Sequence, residues 1–165
     1  MTDLLTHILA GYVLATVAVW RLDRVETRHV PLAMLGATIP DAAKVYLLLG
    51  GVRTTVAGVE VGWLALQTVG AGLAFALAGS LLVPPGERTA ALAALGGGVS
   101  LHVAMDYFVI RTGGLAPPYL YPFTWAQLPA GNLYLSSDVW PLVVALGLSG
   151  LVFALDRRRT RGSSA

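Results

Sequence analysis

MTDLLTHILAGYVLATVAVW (Met1–Trp20) decides the fold class. Apolar residues fill it almost without interruption, and a bilayer core about 30 Å thick takes roughly 20 helical residues to cross. Asp3 and the lack of a leading basic cluster argue against a cleaved signal peptide, so the expectation is a retained membrane helix. Working outward, similar runs recur, giving expected spans at about 4–20, 31–50, 61–83, 90–110 and 138–155. Charge-bearing or turn-rich segments separate them: RLDRVETRH, GGVRTTVAG and PPGERT.

Composition supports the same class. The 165 residues include no cysteine; 56% are hydrophobic and 12% charged, with a mean hydropathy of +0.70. Soluble domains carry about 25% charged residues, so a soluble globule, a disordered chain and a disulfide scaffold are all excluded. The fold expected is all-α: a polytopic integral membrane helical bundle of about five transmembrane helices. It forms one domain over 1–156, followed by a basic tail at 157–165. The net charge is +2 and the isoelectric point about 9.2, but the basic residues are too scattered for nucleic acid. Membrane lipids are the partners expected.

Alternating the sides of the spans places Arg21, Arg24, Arg28, Arg88, Arg157, Arg158, Arg159 and Arg161 on one face. Arg53, Arg111 and Lys44 fall on the other. Eight of eleven basic residues on one side predict a multi-pass cell-membrane protein with a cytoplasmic C-terminus. The connection from Arg111 to Ser137 contains prolines and glycines that forbid a spanning helix. Its Tyr119, Tyr121, Trp125 and Tyr134 suit the membrane interface, so an ordered cap on the outer surface is expected.

Ionisable residues inside spans are expensive, and each asks for a reason. His7 falls in the first span, Asp41 in the second, and His102 and Asp106 in the fourth, at a spacing that puts both on one helix face. With Gln67 and Thr68, all lean toward the extracytoplasmic half. Two imidazoles with two or three carboxylates suit a divalent metal, zinc first, with manganese or iron as alternatives. Plainer readings stand beside this one. His102 and Asp106 could satisfy each other, His7 could mark a helix start, and Asp41 could end a helix after Pro40 or pair with Lys44. His29, among arginines, reads as solvated.

Thr6–His7, IPD (Ile39–Asp41), SLHVAMD (Ser100–Asp106) and YLYPFTW (Tyr119–Trp125) follow one another in an order that resembles the YdjM-like membrane-bound metal-dependent hydrolases. The resemblance runs from about His7 to Pro141. It also implies distant similarity to the zinc-dependent phospholipase C and nuclease group, helical enzymes that hydrolyse phosphoesters. Carried onto this chain, it implies His7, Asp41, His102 and Asp106 as metal ligands. The pattern departs in two places. IPD continues as IPDAAKVY, without the family's Asp-x-Asp-His extension, and no His-Arg-Gly-x-x-His-Ser element occurs. WLALQT (Trp63–Thr68) takes its place, with Gln67 where the family has a histidine.

The function expected is metal-dependent hydrolysis of a lipid-like or phosphoester substrate at the outer half of the membrane. Asp106 would complete the metal shell or act as general base, and the Gln67 amide would orient water. Two alternatives stay open. One is a non-enzymatic membrane protein with a structural polar or metal cluster; the other is a small proton-coupled transporter. The sequence leaves the oligomeric state open.

Overall fold

A computed structural model describes residues 2–44, 54–56, 59–61 and 67–162. Its framework is all-α: α1 (Thr2–Arg21), α2 (Val30–Gly36), α3 (Val69–Leu81), α4 (Arg88–Tyr107) and α5 (Trp140–Gly162). Beside them, β1 (Thr54–Val56) and β2 (Val59–Val61) pair antiparallel, with Thr54 opposite Val61.

Each helix boundary has a local cause. The first turn of α2 carries Pro31, which needs no hydrogen-bonded N–H there. The helix stops at Gly36, well short of the single helix expected over 31–50. Pro40 is the reason: it has no N–H to offer the turn before it, and its ring disfavours helical backbone at Ile39. The chain tightens instead, Thr38 N–H donating to Leu35 O and Ile39 N–H to Gly36 O, then forms a 3-10 turn at Pro40–Lys44. Residues 45–50 lie outside the described set. The helix of the third expected span starts at Val69, because the Thr68 hydroxyl accepts from Ala71 N–H and caps it. Residues 59–61 of that span are strand, and 62–66 lie outside the described residues. At the other end of the chain α5 carries its helix through Arg157–Arg161, which the sequence placed in a separate tail.

Contacts order the helices α5–α1–α2–α4–α3, with α1 also touching α4. At the α2–α4 contact the two backbones meet through glycine. A Cβ on Gly36 would strike the Leu95 carbonyl, and one on Gly98 would strike the Ala33 carbonyl, so both positions need glycine for the backbones to touch. Ser149 Oγ donates to Leu9 O at 3.5 Å and Trp20 Nε1 to Asp156 Oδ1 at 2.8 Å, so α1 and α5 run parallel. Running the other way, α4 starts near the end of α1, where Arg28 meets Glu87, and finishes beside His7.

Polarity is arranged inside out. His7, His102, Val99, Thr68, Pro40 and Ser80 are the largest fully buried side chains, while Leu73, Phe75, Leu77, Leu146, Leu151 and Phe153 face outward. Among the described residues two segments, Leu4–Arg21 and Trp140–Arg161, are long and apolar enough to cross a membrane. Only 28% and 17% of them is buried within the protein, unlike the core helix of a soluble domain.

Candidate metal centre

One end of the bundle gathers the polar side chains. His7 comes from the start of α1, Asp41 from the 3-10 turn after α2, and His102 and Asp106 from the last two turns of α4. Because α4 approaches α2 through glycine, the Ala37 carbonyl reaches His102 Nδ1 at 2.7 Å. A carbonyl only accepts, so Nδ1 carries the proton. In the neutral ring Nε2 then presents a lone pair to the interior.

Around that lone pair the distances are consistent. His102 Nε2 lies 3.7 Å from Asp41 Oδ1 and 3.6 Å from Asp106 Oδ2, and His7 Nε2 lies 3.5 Å from Asp106 Oδ1. The two imidazoles stack with centroids 4.0 Å apart. One ligand atom from each of His7, Asp41 and His102 falls within 4.8 Å of the others, and all three residues are buried. This group could hold a metal ion. His102 Nε2 and Asp106 Oδ1 are enclosed without a hydrogen bond to any of the described residues. Atoms ligating one zinc at about 2 Å stand roughly 3–4 Å apart; three of the pairs here have that spacing, while the full group of three opens to 4.8 Å. The donor set therefore fits a divalent ion, and the Ala37 carbonyl supplies the outer contact that commonly orients a ligating histidine.

The sequence-derived candidates His7, Asp41, His102 and Asp106 thus stand together. Gln67 is also buried, on the turn entering α3, but it is not one of the group of three. Lys44 pairs with Asp41 three residues back, one of the plainer readings above. His29 is not solvated. It is 3% exposed, and its Nδ1 accepts from Glu26 N–H at 3.0 Å, closing the turn that opens α2.

Arg111 and Tyr119 join the site from beyond α4. Arg111 Nη2 lies 3.6 Å from Asp106 Oδ2 and 3.3 Å from the Tyr119 hydroxyl. Both follow the end of α4, where no helical spacing predicts a contact; the folded connection brings them back. That connection is an ordered cap. Val69 N–H donates to Tyr119 O and Gly70 N–H to Tyr121 O, at 2.8 and 2.9 Å. A side chain at Gly70 would collide with Pro122. Tyr134 donates its hydroxyl to Met105 O at 2.9 Å, and Ala116, Tyr119 and Tyr134 are buried while Phe123 and Trp125 stay exposed. Burial, reinforced by the charge of Asp106, pushes the Tyr119 hydroxyl up to about 12.

Comparison with protein-family models, with curated proteins and with solved structures finds no match for this chain.

Proposed function

We propose that this chain is a five-span membrane protein that binds a divalent metal and hydrolyses a lipid-like or phosphoester substrate, as its resemblance to the YdjM-like hydrolases implies. One observation carries the reading. Buried imidazole and carboxylate atoms from three elements face one another at 3.5–3.7 Å, too far for good hydrogen bonds and near enough to share an ion. His7, Asp41 and His102 would hold it, with Asp106 completing the set or serving as general base. Zinc is the first choice for imidazole and carboxylate without thiolate, ahead of manganese and iron. When bound, such an ion supplies Lewis acidity and acidifies water. The protein's own part is positional: the Ala37 carbonyl fixes the His102 ring, Arg111 and Tyr119 steady the Asp106 carboxylate, and the Gln67 amide orients water.

The alternating directions of α1, α4 and α5 support a chain that crosses repeatedly. The basic residues of α5 and of the α1–α2 connection lie at the end away from the metal group. With the positive-inside rule this supports a group on the extracytoplasmic side and an α5 terminus in the cytoplasm. The test is elemental analysis of detergent-purified protein beside His102→Ala. Wild type retains zinc and the variant loses it, yet the variant stays folded, because polar contacts between membrane helices average only about 0.6 kcal/mol. Wild type without metal after zinc is supplied defeats the reading. Impermeant thiol labelling of single cysteines at positions 126 and 160 checks the orientation: only 126 reacts from outside intact cells.

A second reading has its own support. Lys44 meets Asp41 and Arg111 meets Asp106, so the carboxylates already have cationic neighbours, as a structural, non-enzymatic cluster requires. The two readings predict opposite results for Lys44→Gln. A metal site binds zinc more tightly once the competing ammonium is gone, whereas a structural ion cluster melts lower and holds none.

A further inference from the structure

Between α1, α4 and α5 lies an apolar groove of about 390 Å³, on the other side of the α1–α4 contact from the metal group. Thr6, Ala10 and Leu14 line it from α1, Ala145 and Leu148 from α5, and Met105 from α4. Among the described residues no charged side chain lines it, and the Tyr134 hydroxyl is already donated to Met105 O. Its volume falls in the range of ligand pockets, about 300–1,000 Å³, yet it lacks the polar groups that orient most ligands. An occupant must therefore be hydrocarbon.

Its direction is informative. Thr6, Met105, Tyr134 and Trp140 line the end near the cap, where the Tyr134 and Trp140 rings pack edge to face at 5.8 Å. Tyrosine and tryptophan favour the depth of lipid headgroups. From there the groove follows the helix axes to Leu14, about 12 Å at 1.5 Å per residue. A lipid is polar at one end only, as this groove is, and an extended alkyl chain runs its length. A helix of a second copy would lie along the whole groove with no use for a single polar end.

We infer that this groove seats one acyl chain of a bilayer lipid, entering at Tyr134 and Trp140 and placing its headgroup level with His7 and Asp106. Thr6 and Met105 immediately precede those two residues in the chain, which fixes the level. The inference rests on the membrane reading above and adds to it a seat for one lipid at the depth of the metal group, across the α1–α4 contact from it.

The experiment uses the full chain in detergent with Trp140 as its sole tryptophan, through Trp20→Phe, Trp63→Phe and Trp125→Phe. The probe is phosphatidylcholine brominated on its acyl chains. Quenching of Trp140 is expected to saturate at one lipid per protein. Ala145→Phe, which fills the groove from α5, should weaken binding at least tenfold, and Ala10→Leu does so from α1 should the first variant fail to fold. Val143→Phe, outside the groove, leaves binding unchanged. Quenching that never saturates, or that ignores both filling variants, overturns the inference. So does self-association abolished by Ala145→Phe without a lipid signal, which would assign the groove to a second copy. Flotation of wild type with lipid vesicles and its zinc content are measured separately. Failure there defeats the membrane or metal reading, while success there with unsaturable quenching defeats the groove alone.

Discussion

The two ends of the bundle treat charge in opposite ways. At the basic end, Arg28 meets Glu26 at 2.8 Å and Glu87 at 3.1 Å, with the arginine more than half exposed. Trp20 donates to Asp156 at 2.8 Å while Arg159 lies over its ring at 4.7 Å. At the other end, buried His7 lies 3.5 Å from Asp106, and His102 lies 3.6 Å from Asp106 and 3.7 Å from Asp41. Long exposed side chains flex until they find a partner. Short buried ones stand where the backbone puts them, and here it holds them apart. Spacing of that kind is inherited from helix packing, so it is expected to survive loss of any single polar partner and to collapse when the packing changes.

Gly98→Val should blur the contrast most. Its side chain would drive α2 from α4, withdrawing the Ala37 carbonyl and Asp41 together; overpacking of this kind costs about 1–3 kcal/mol or more. Thermal melting in detergent and zinc content should fall in parallel, and a variant that melts lower yet keeps its metal would show that the α2–α4 approach does not set the site. Asp41→Asn is narrower. It removes a charged ligand at nearly constant volume, so zinc affinity measured by competition with a chelator should drop more than tenfold while the melting temperature barely moves. Affinity equal to wild type would take Asp41 out of the ligand set.

Tyr119→Phe sharpens the comparison from the cap. Losing the bond to Arg111 should cost about 0.5–1.5 kcal/mol. Titration adds a sign. The folded protein keeps the Tyr119 proton to about 12, whereas an unfolded tyrosine loses its own near pH 10. Between those values the folded state binds more protons than the unfolded one, so stability falls as pH rises through the window. Tyr119→Phe should flatten that slope in melting curves, and an unchanged slope would assign it to other groups. Arg28→Ala, at the exposed end, should have the smallest effect, about 0.2–1 kcal/mol and shrinking with added salt. A larger loss, insensitive to salt, would erase the distinction between the two ends.

Much of this organisation is written in local pattern, and the remainder is not. The long apolar runs announce α1, α4 and α5, and the i, i+4 spacing of His102 and Asp106 puts them on one face before any folding is known. The end of α2 is harder, since apolar residues continue past Gly36 and only the backbone chemistry of Pro40 turns the helix aside. Arg111, Tyr119 and the Ala37 carbonyl are harder still. Two of them reach the site through a non-helical connection and the third through a glycine-mediated helix contact, and neither leaves a periodic trace. His29 misleads for a related reason, because its charged neighbours suggest water while its ring serves as a cap.

The hydrogen bond from His102 to Ala37 has a consequence for genetics. Its acceptor is main chain, so every substitution at position 37 encodes the same carbonyl, and a side-chain scan would score the position as tolerant or merely steric. The contact that chooses the tautomer of a central histidine is thus invisible to substitution of the residue that supplies its acceptor. Replacing the amide between residues 37 and 38 with an ester weakens that carbonyl as an acceptor and leaves every side chain in place. It also removes the Thr38 N–H that donates to Leu35 O, so an ester between residues 34 and 35, which alters neither group, is the control.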